Sequence, residues 1–172
     1  MIRARHATER KLAMSHLTMT RRAVLTGAAA FGLAALLPIR GRAAAPAIHV
    51  LKDPNCGCCS AWIEHLEANG FTVTSEPARG VALSRYKLES GIPAEMASCH
   101  TGRIDGYMIE GHVPAADIRR LLDTRPDAVG LAVPGMPYGS PGMGPESQRE
   151  AYDVHLVLRD GTTEIFARYD AA

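Results

Sequence analysis

Three of the chain's four cysteines, Cys56, Cys58 and Cys59, fall within four residues, and Cys99 follows forty-three residues after Cys56 with His100 beside it. Thiols at that density either bind a soft metal or exchange electrons with one another. Thiolates suit Cu(I), Zn(II) and iron–sulfur clusters. Cys58 and Cys59 are neighbours and cannot both enter one small tetrahedral site without strain, whereas thiolates that bridge several ions relieve it. Zinc sites usually carry two separated Cys-x2–4-Cys pairs, which this chain lacks. The pattern therefore fits a multinuclear Cu(I) site better than a single zinc.

The redox reading uses the same atoms. Cys56 and Cys59 have the Cys-x-x-Cys spacing of a thiol–disulfide oxidoreductase, with a nucleophilic thiol at a helix N-terminus and a resolving thiol behind it. Cys58 intrudes between them. A third thiol invites scrambling in a disulfide exchanger and is an asset in a metal site. A purely structural disulfide pattern is constrained too: adjacent Cys58 and Cys59 would form a strained ring, so ordinary bridging would join Cys99 to one of the three.

Around the cysteines stand further soft donors. His100 adjoins Cys99. Met136 and Met143 offer neutral thioethers that tolerate an oxidising compartment, and Met96 lies three residues before Cys99. His112, after Gly111, reads either as a ligand or as a cap of the helix that follows. His49, His65 and His155 have no special context, and His65 reads as solvated.

The elements that must position these groups are legible in outline. Ile48-His49-Val50-Leu51 reads as a first strand, with a turn at Asp53-Pro54-Asn55. From Cys58 the pattern becomes helical, with Trp62, Ile63 and Leu66 recurring until Asn69-Gly70. The helix start places three cysteines at its positive end, which favours thiolates. A second strand spans Phe71–Thr74, and a second helix spans Val81–Ser90 with Val81, Leu83 and Leu88 as its apolar positions. Arg103 to Gly111 reads as a hairpin around Asp105-Gly106, and Pro114 opens a third helix. Val129 to Pro145 holds five glycines and four prolines and reads as one long loop, intolerant of a central strand. A last hairpin turns at Asp160-Gly161. This order predicts an α/β, thioredoxin-like fold, a mixed sheet flanked by helices, with an added C-terminal β-hairpin. In such an arrangement the loop before the third strand brings Cys99 and His100 to the other cysteines.

Charge divides the chain. Residues 1–45 contain eight Lys/Arg and one acid, leaving 11 basic and 17 acidic residues elsewhere, a net charge near −6. That domain has no basic patch, which argues against nucleic acid as a partner. Residues 1–45 read as a twin-arginine export signal: Arg21-Arg22, an uncharged run from Ala23 to Leu37, then small residues with cleavage expected near residues 43–47. The run is short for a span of roughly twenty residues, so no stable membrane insertion is expected once the signal is removed. Residues 46–172 are expected to form one metal-binding domain in the periplasm.

Taken together, Lys52-Asp53-Pro54-Asn55-Cys56-Gly57-Cys58-Cys59, Ala97-Ser98-Cys99-His100-Thr101, Gly106 through Pro114 and Gly130 through Met143 resemble the CopG-type copper-resistance proteins. The resemblance covers residues 48–169. It implies a thioredoxin-like fold, a periplasmic location and a cysteine-bridged polynuclear copper site that interconverts Cu(I) and Cu(II). It also implies copper ligation by Cys56, Cys58, Cys59 and Cys99, with His100, His112, Met136 and Met143 at soft-ligand positions, and copper-export or redox proteins as partners. The residues leave open whether such a protein is a copper oxidoreductase, a chaperone or a thiol–disulfide oxidoreductase working through Cys56 and Cys59.

Overall fold

The computed structural model describes residues 44–172. The expected export signal, with Arg21-Arg22, lies outside the described residues except for its last two positions. Among the described residues no helix is long and apolar enough to cross a membrane. The strands are β1 (Ala47–Lys52), β2 (Thr72–Pro77), β3 (His100–Ile104), β4 (Tyr107–Glu110), β5 (Gly130–Ala132), β6 (Tyr152–Val157) and β7 (Thr163–Tyr169). The helices are α1 (Gly57–Ala68), α2 (Gly80–Glu89) and α3 (Ala115–Thr124). The fold is mixed α/β, with seven strands in one sheet in the order β2-β1-β3-β4-β5-β6-β7. Strands β1/β2 and β4/β5 pair in parallel, and the remaining neighbours are antiparallel.

Local sequence accounts for the elements nearest the cysteines. The α1 helix buries Cys59, Trp62 and Leu66, three and four residues apart on one face. It stops where the Asn69 side-chain amide donates to the His65 carbonyl and Gly70 turns at φ 77°. Asp105 and Gly106, at φ 49° and 89°, form the tight turn between β3 and β4. The main core joins Trp62, Leu66, Ile109, Ile118, Leu121 and Leu131, all fully buried.

Alternation along β3 and β4 divides the packing between two faces. His100 meets Trp62 of α1, whereas Thr101 and its register partner Glu110 meet Lys87 of α2. The α2 helix departs from its expected apolar face. Leu83 is buried, but Val81 and Leu88 are 76% and 60% exposed, and the second inward position is Lys87.

The expected long loop also needs correction, because Gly130–Ala132 is a central strand between β4 and β6. Prolines begin only at Pro134, and Leu131, Ala132 and Val133 are fully buried. Gly130 is required here: a Cβ would stand 1.8 Å from the Met108 carbonyl oxygen. The glycine read as a breaker is what lets β5 approach β4.

His65 is not solvated as expected. It is half-buried, and its Nε2 accepts a hydrogen bond from the Ala115 backbone N–H at 3.2 Å, capping the start of α3. Burial lowers its pKa, against an opposing pull from Glu146. Protonation would remove the acceptor. A folded pKa below the unfolded value means this contribution is present above about pH 6.5 and fades as pH falls through the folded pKa. His65→Ala is expected to cost about 1 kcal/mol at pH 7.5 and less at pH 5.5, read from denaturant midpoints at both pH values. An equal loss at both would remove the capping account.

Candidate metal centre

The cysteine cluster forms at the junction of β1 and α1, where Cys56 precedes the first turn and Cys58 and Cys59 lie within it. The chain reverses at Asp53, whose carboxylate accepts from the Asn55 N–H at 2.8 Å and whose carbonyl accepts from the Cys56 N–H at 3.0 Å. Cys99 arrives from the segment entering β3. The register of β3 against β1 sets Lys52 opposite His100, which fixes where that segment ends.

All four sulfur atoms lie within 4.8 Å of one another, and Cys99 also belongs to a second such group with His100 and His112. The Cys58 sulfur is 3.4 Å from Cys56 Sγ and 3.9 Å from Cys99 Sγ. Cys99 Sγ is 3.3 Å from His100 Nδ1 and 3.2 Å from His112 Nε2. Cys99 is thus the hinge between a sulfur group and an imidazole group. Cys56 and Cys59 form a disulfide, and Cys58 and Cys99 are free thiols. The bridge follows the Cys-x-x-Cys spacing rather than joining Cys99 to one of the three.

Both imidazoles are fully buried. His100 lies against the Trp62 ring at 4.3 Å and meets His112 edge-on at 5.1 Å. His112 Nδ1 is 2.8 Å from the Pro141 carbonyl oxygen. A carbonyl only accepts, so Nδ1 carries the proton and Nε2 turns its lone pair to Cys99. This removes the helix-cap reading of His112; His65 performs that task. Burial lowers the His112 pKa, partly offset by the Pro141 bond. Burial, then the neighbouring His112 and Lys87, holds His100 well below the usual imidazole range. Both rings are therefore neutral at pH 7, the form that binds metals. Burial and then Cys58 push the Cys99 thiol up to about 11.

Residues 133–151 fold over this centre. His112 holds Pro141, and Gly142 lies so close to α1 that a Cβ would stand 2.6 Å from Trp62 N and 2.9 Å from the Cys58 carbonyl oxygen. Ser98 Oγ donates to the Gly135 carbonyl at 2.5 Å. Met136 and Met143 each follow one of these glycines. Met136 is 55% exposed and Met143 half-buried.

Behind Cys99 lies a polar network that the sequence analysis missed. Glu110 is fully buried; its Oε1 accepts from the Ser98 N–H at 2.6 Å and from Lys87 Nζ at 2.5 Å. Thr101 Oγ1 donates to Glu110 Oε2 at 2.6 Å and accepts from Lys87 Nζ at 2.7 Å. The available signal was a lysine four residues after Leu83 on the helix and a glutamate ending a strand of inward-facing apolar residues.

The donor set fits a soft cation. Four sulfurs, two of them joined in the Cys56–Cys59 bridge and available as thiolates once it is reduced, converge with two neutral imidazoles. Among known proteins, residues 96–143 match a family described as "Protein of unknown function, DUF411". That span carries Cys99, His100, His112, Met136 and Met143. Two solved structures, described as "Copper resistance protein copG", Form 1 and Form 2, are each 52% identical to this chain. Each alignment covers 73% of this chain and 98% of the other, with a TM-score of 0.68. Comparison with curated proteins gives no match.

Proposed function

The chain belongs to the CopG-type copper-resistance family, and on that premise we propose that it binds Cu(I) as cargo in a cysteine-bridged, polynuclear site. The observation that carries this is the convergence of four sulfurs on one point, joined through Cys99 to two neutral imidazoles. With the Cys56–Cys59 bridge reduced, Cys56, Cys58, Cys59 and Cys99 would hold the metal as thiolates, with His100 and His112 on the buried side. Met136 and Met143 complete the proposed donor set from the loop above, where the exposure of Met136 suits contact with incoming copper. Bound copper would supply one-electron chemistry, and interconversion of Cu(I) and Cu(II) is part of the proposal.

The chain's own contribution is positional. The Pro141 carbonyl fixes the His112 tautomer, Trp62 walls off one side of His100, and Glu110 anchors Ser98 next to Cys99. We read the frame as thioredoxin-like, with the paired β6 and β7 as its C-terminal addition. The cysteine cluster after the first strand supports that reading. The Arg21-Arg22 segment supports export of residues 46–172 as one domain to the periplasm, where copper-export or redox proteins would be its partners.

The test is metal content and thiol titration of the reduced chain after anaerobic exposure to Cu(I). More than one tightly held copper per chain, with thiols protected from alkylation, is the expected result. The Cys56–Cys59 disulfide and the half-exposed Cys56 favour one alternative, a thiol–disulfide oxidoreductase. No retained copper, together with rapid exchange of that bridge with dithiols, would select it.

A further inference from the structure

We propose that the disulfide form of the chain is itself a metal-binding state, which takes one divalent cation of the zinc class on Cys58, Cys99, His100 and His112. The redox state of Cys56 and Cys59 would then select between Cu(I) and a divalent ion. The selection rests on the copper reading above for the reduced form; the divalent site stands on its own geometry.

The disulfide withdraws two of four sulfurs and leaves Cys58 and Cys99 as thiols. The donors that remain are two sulfurs and two imidazoles, a borderline set found in single-ion zinc sites and poor in the bridging thiolates that several Cu(I) ions need. The separations from Cys99 suit one ion. Zinc–sulfur and zinc–nitrogen bonds of about 2.3 and 2.0–2.1 Å, in a tetrahedron, separate two sulfurs by roughly 3.8 Å and a sulfur from a nitrogen by roughly 3.6 Å. The observed Cys58–Cys99 separation is 3.9 Å, and the Cys99–His100 and Cys99–His112 separations are 3.3 and 3.2 Å. Cys99, His100 and His112 already converge within 4.8 Å. Cys58 stands with the other sulfurs and outside the imidazole group, so it completes the set by turning its side chain toward them.

His112 is prepared for the same role. His112 Nδ1 donates to the Pro141 carbonyl, the arrangement that orients metal-bound histidines and leaves Nε2 free. The His100 Nε2, buried against Trp62, has no acceptor among the described residues to fix its tautomer. Its Nδ1, 3.3 Å from Cys99 Sγ, presents a lone pair there in the tautomer protonated at Nε2.

Conversion between the states requires a dithiol reductant. One of its thiols, as thiolate, attacks the half-exposed Cys56 Sγ and breaks the bond to Cys59, which leaves as thiolate and takes up the proton released by the attacker. The reductant's second thiol then attacks its own partner sulfur in the mixed disulfide, forms the reductant's disulfide and releases Cys56 as a thiol. Two electrons and two protons pass to the chain. Cys59 is fully buried, so attack falls on Cys56.

The experiment uses Co2+ as a spectroscopic probe on the full oxidised chain, with two free thiols verified by titration. One Co2+ per chain is expected, with sulfur-to-cobalt charge-transfer bands, intense tetrahedral d–d bands and displacement by Zn2+. The Cys56→Ser/Cys59→Ser chain, which lacks those thiols in any redox state, is expected to give the same spectrum. Cys99→Ser and His112→Ala should abolish it in oxidised chain. Absence of tetrahedral bands from the oxidised wild type would overturn the proposal, whatever the Cys56→Ser/Cys59→Ser chain shows, as would bands that survive Cys99→Ser. Cu(I) stoichiometry of the reduced wild type is measured separately. Its failure would remove the copper reading and leave the divalent site to stand or fall on the cobalt spectra.

Discussion

A Cys99→Ser chain is expected to drop from more than one Cu(I) to at most one, and to hold that one weakly. Cys99 is the single residue shared by the sulfur group and the imidazole group. Replacing its sulfur with a hydroxyl removes a soft donor and separates Cys58 from His100 and His112, which Cys99 joins at 3.9, 3.3 and 3.2 Å. Cys56 and Cys59 are untouched, so a two-cysteine exchanger would keep its working pair. Metal analysis after anaerobic loading, with a Cu(I) chelator as competitor, reads the outcome. Undiminished copper in this variant would sink the polynuclear proposal.

The same thiol gives the site a pH dependence of known sign. Burial and Cys58 push Cys99 up to about 11, so it is protonated at pH 7 and must release its proton to bind metal. His100 and His112 are already neutral there and release nothing. Apparent Cu(I) affinity should therefore rise with pH between 6.5 and 8, by about tenfold per pH unit for each proton displaced. The Cys99→Ser chain should lose one proton's share of that slope.

How far the site could be read in advance depended on whether a residue's task was local. The cysteines declared themselves, since their density has few chemical uses. The helix through Trp62 and the Asp105-Gly106 turn followed from short-range pattern. Other features depended on partners distant in sequence. Gly130 reads as a breaker until β4 stands beside it at a distance only a glycine allows. His65 carries no local signal, yet it caps α3, fifty residues along the chain, and His112, open between ligand and cap, reaches Cys99. The methionine loop lies beside the cluster through the Ser98 hydroxyl on the Gly135 carbonyl and the close approach of Gly142 to α1, both between segments distant in sequence. Val81 and Leu88 followed helical periodicity and still face outward, because α2 turns Leu83 and Lys87 to the sheet.

That inward lysine leads to the largest stability effect expected. Glu110→Ala would leave the Lys87 ammonium, 5% exposed, without its counter-charge and the Ser98 N–H without its acceptor. Breaking a buried pair from one side costs about 3–5 kcal/mol, because the remaining charge stays desolvated. That is a large share of the roughly 5–15 kcal/mol that holds a domain folded. Removing both charges is a different case: Lys87→Met with Glu110→Gln leaves no buried charge and keeps an amide oxygen for Ser98. The double variant should recover most of the loss, so denaturation midpoints across the cycle should give strong coupling. Copper binding separates stability from positioning. Ser98 adjoins Cys99, and Glu110 fixes it on the strand side while Gly135 fixes it on the loop side. If the carboxylate sets where the Cys99 sulfur stands, the double variant regains Cu(I) affinity along with stability, because the Ser98 contact survives. A cost below about 1 kcal/mol for Glu110→Ala would mean that water already reaches Lys87 and that the pair is not the buried anchor its exposure indicates.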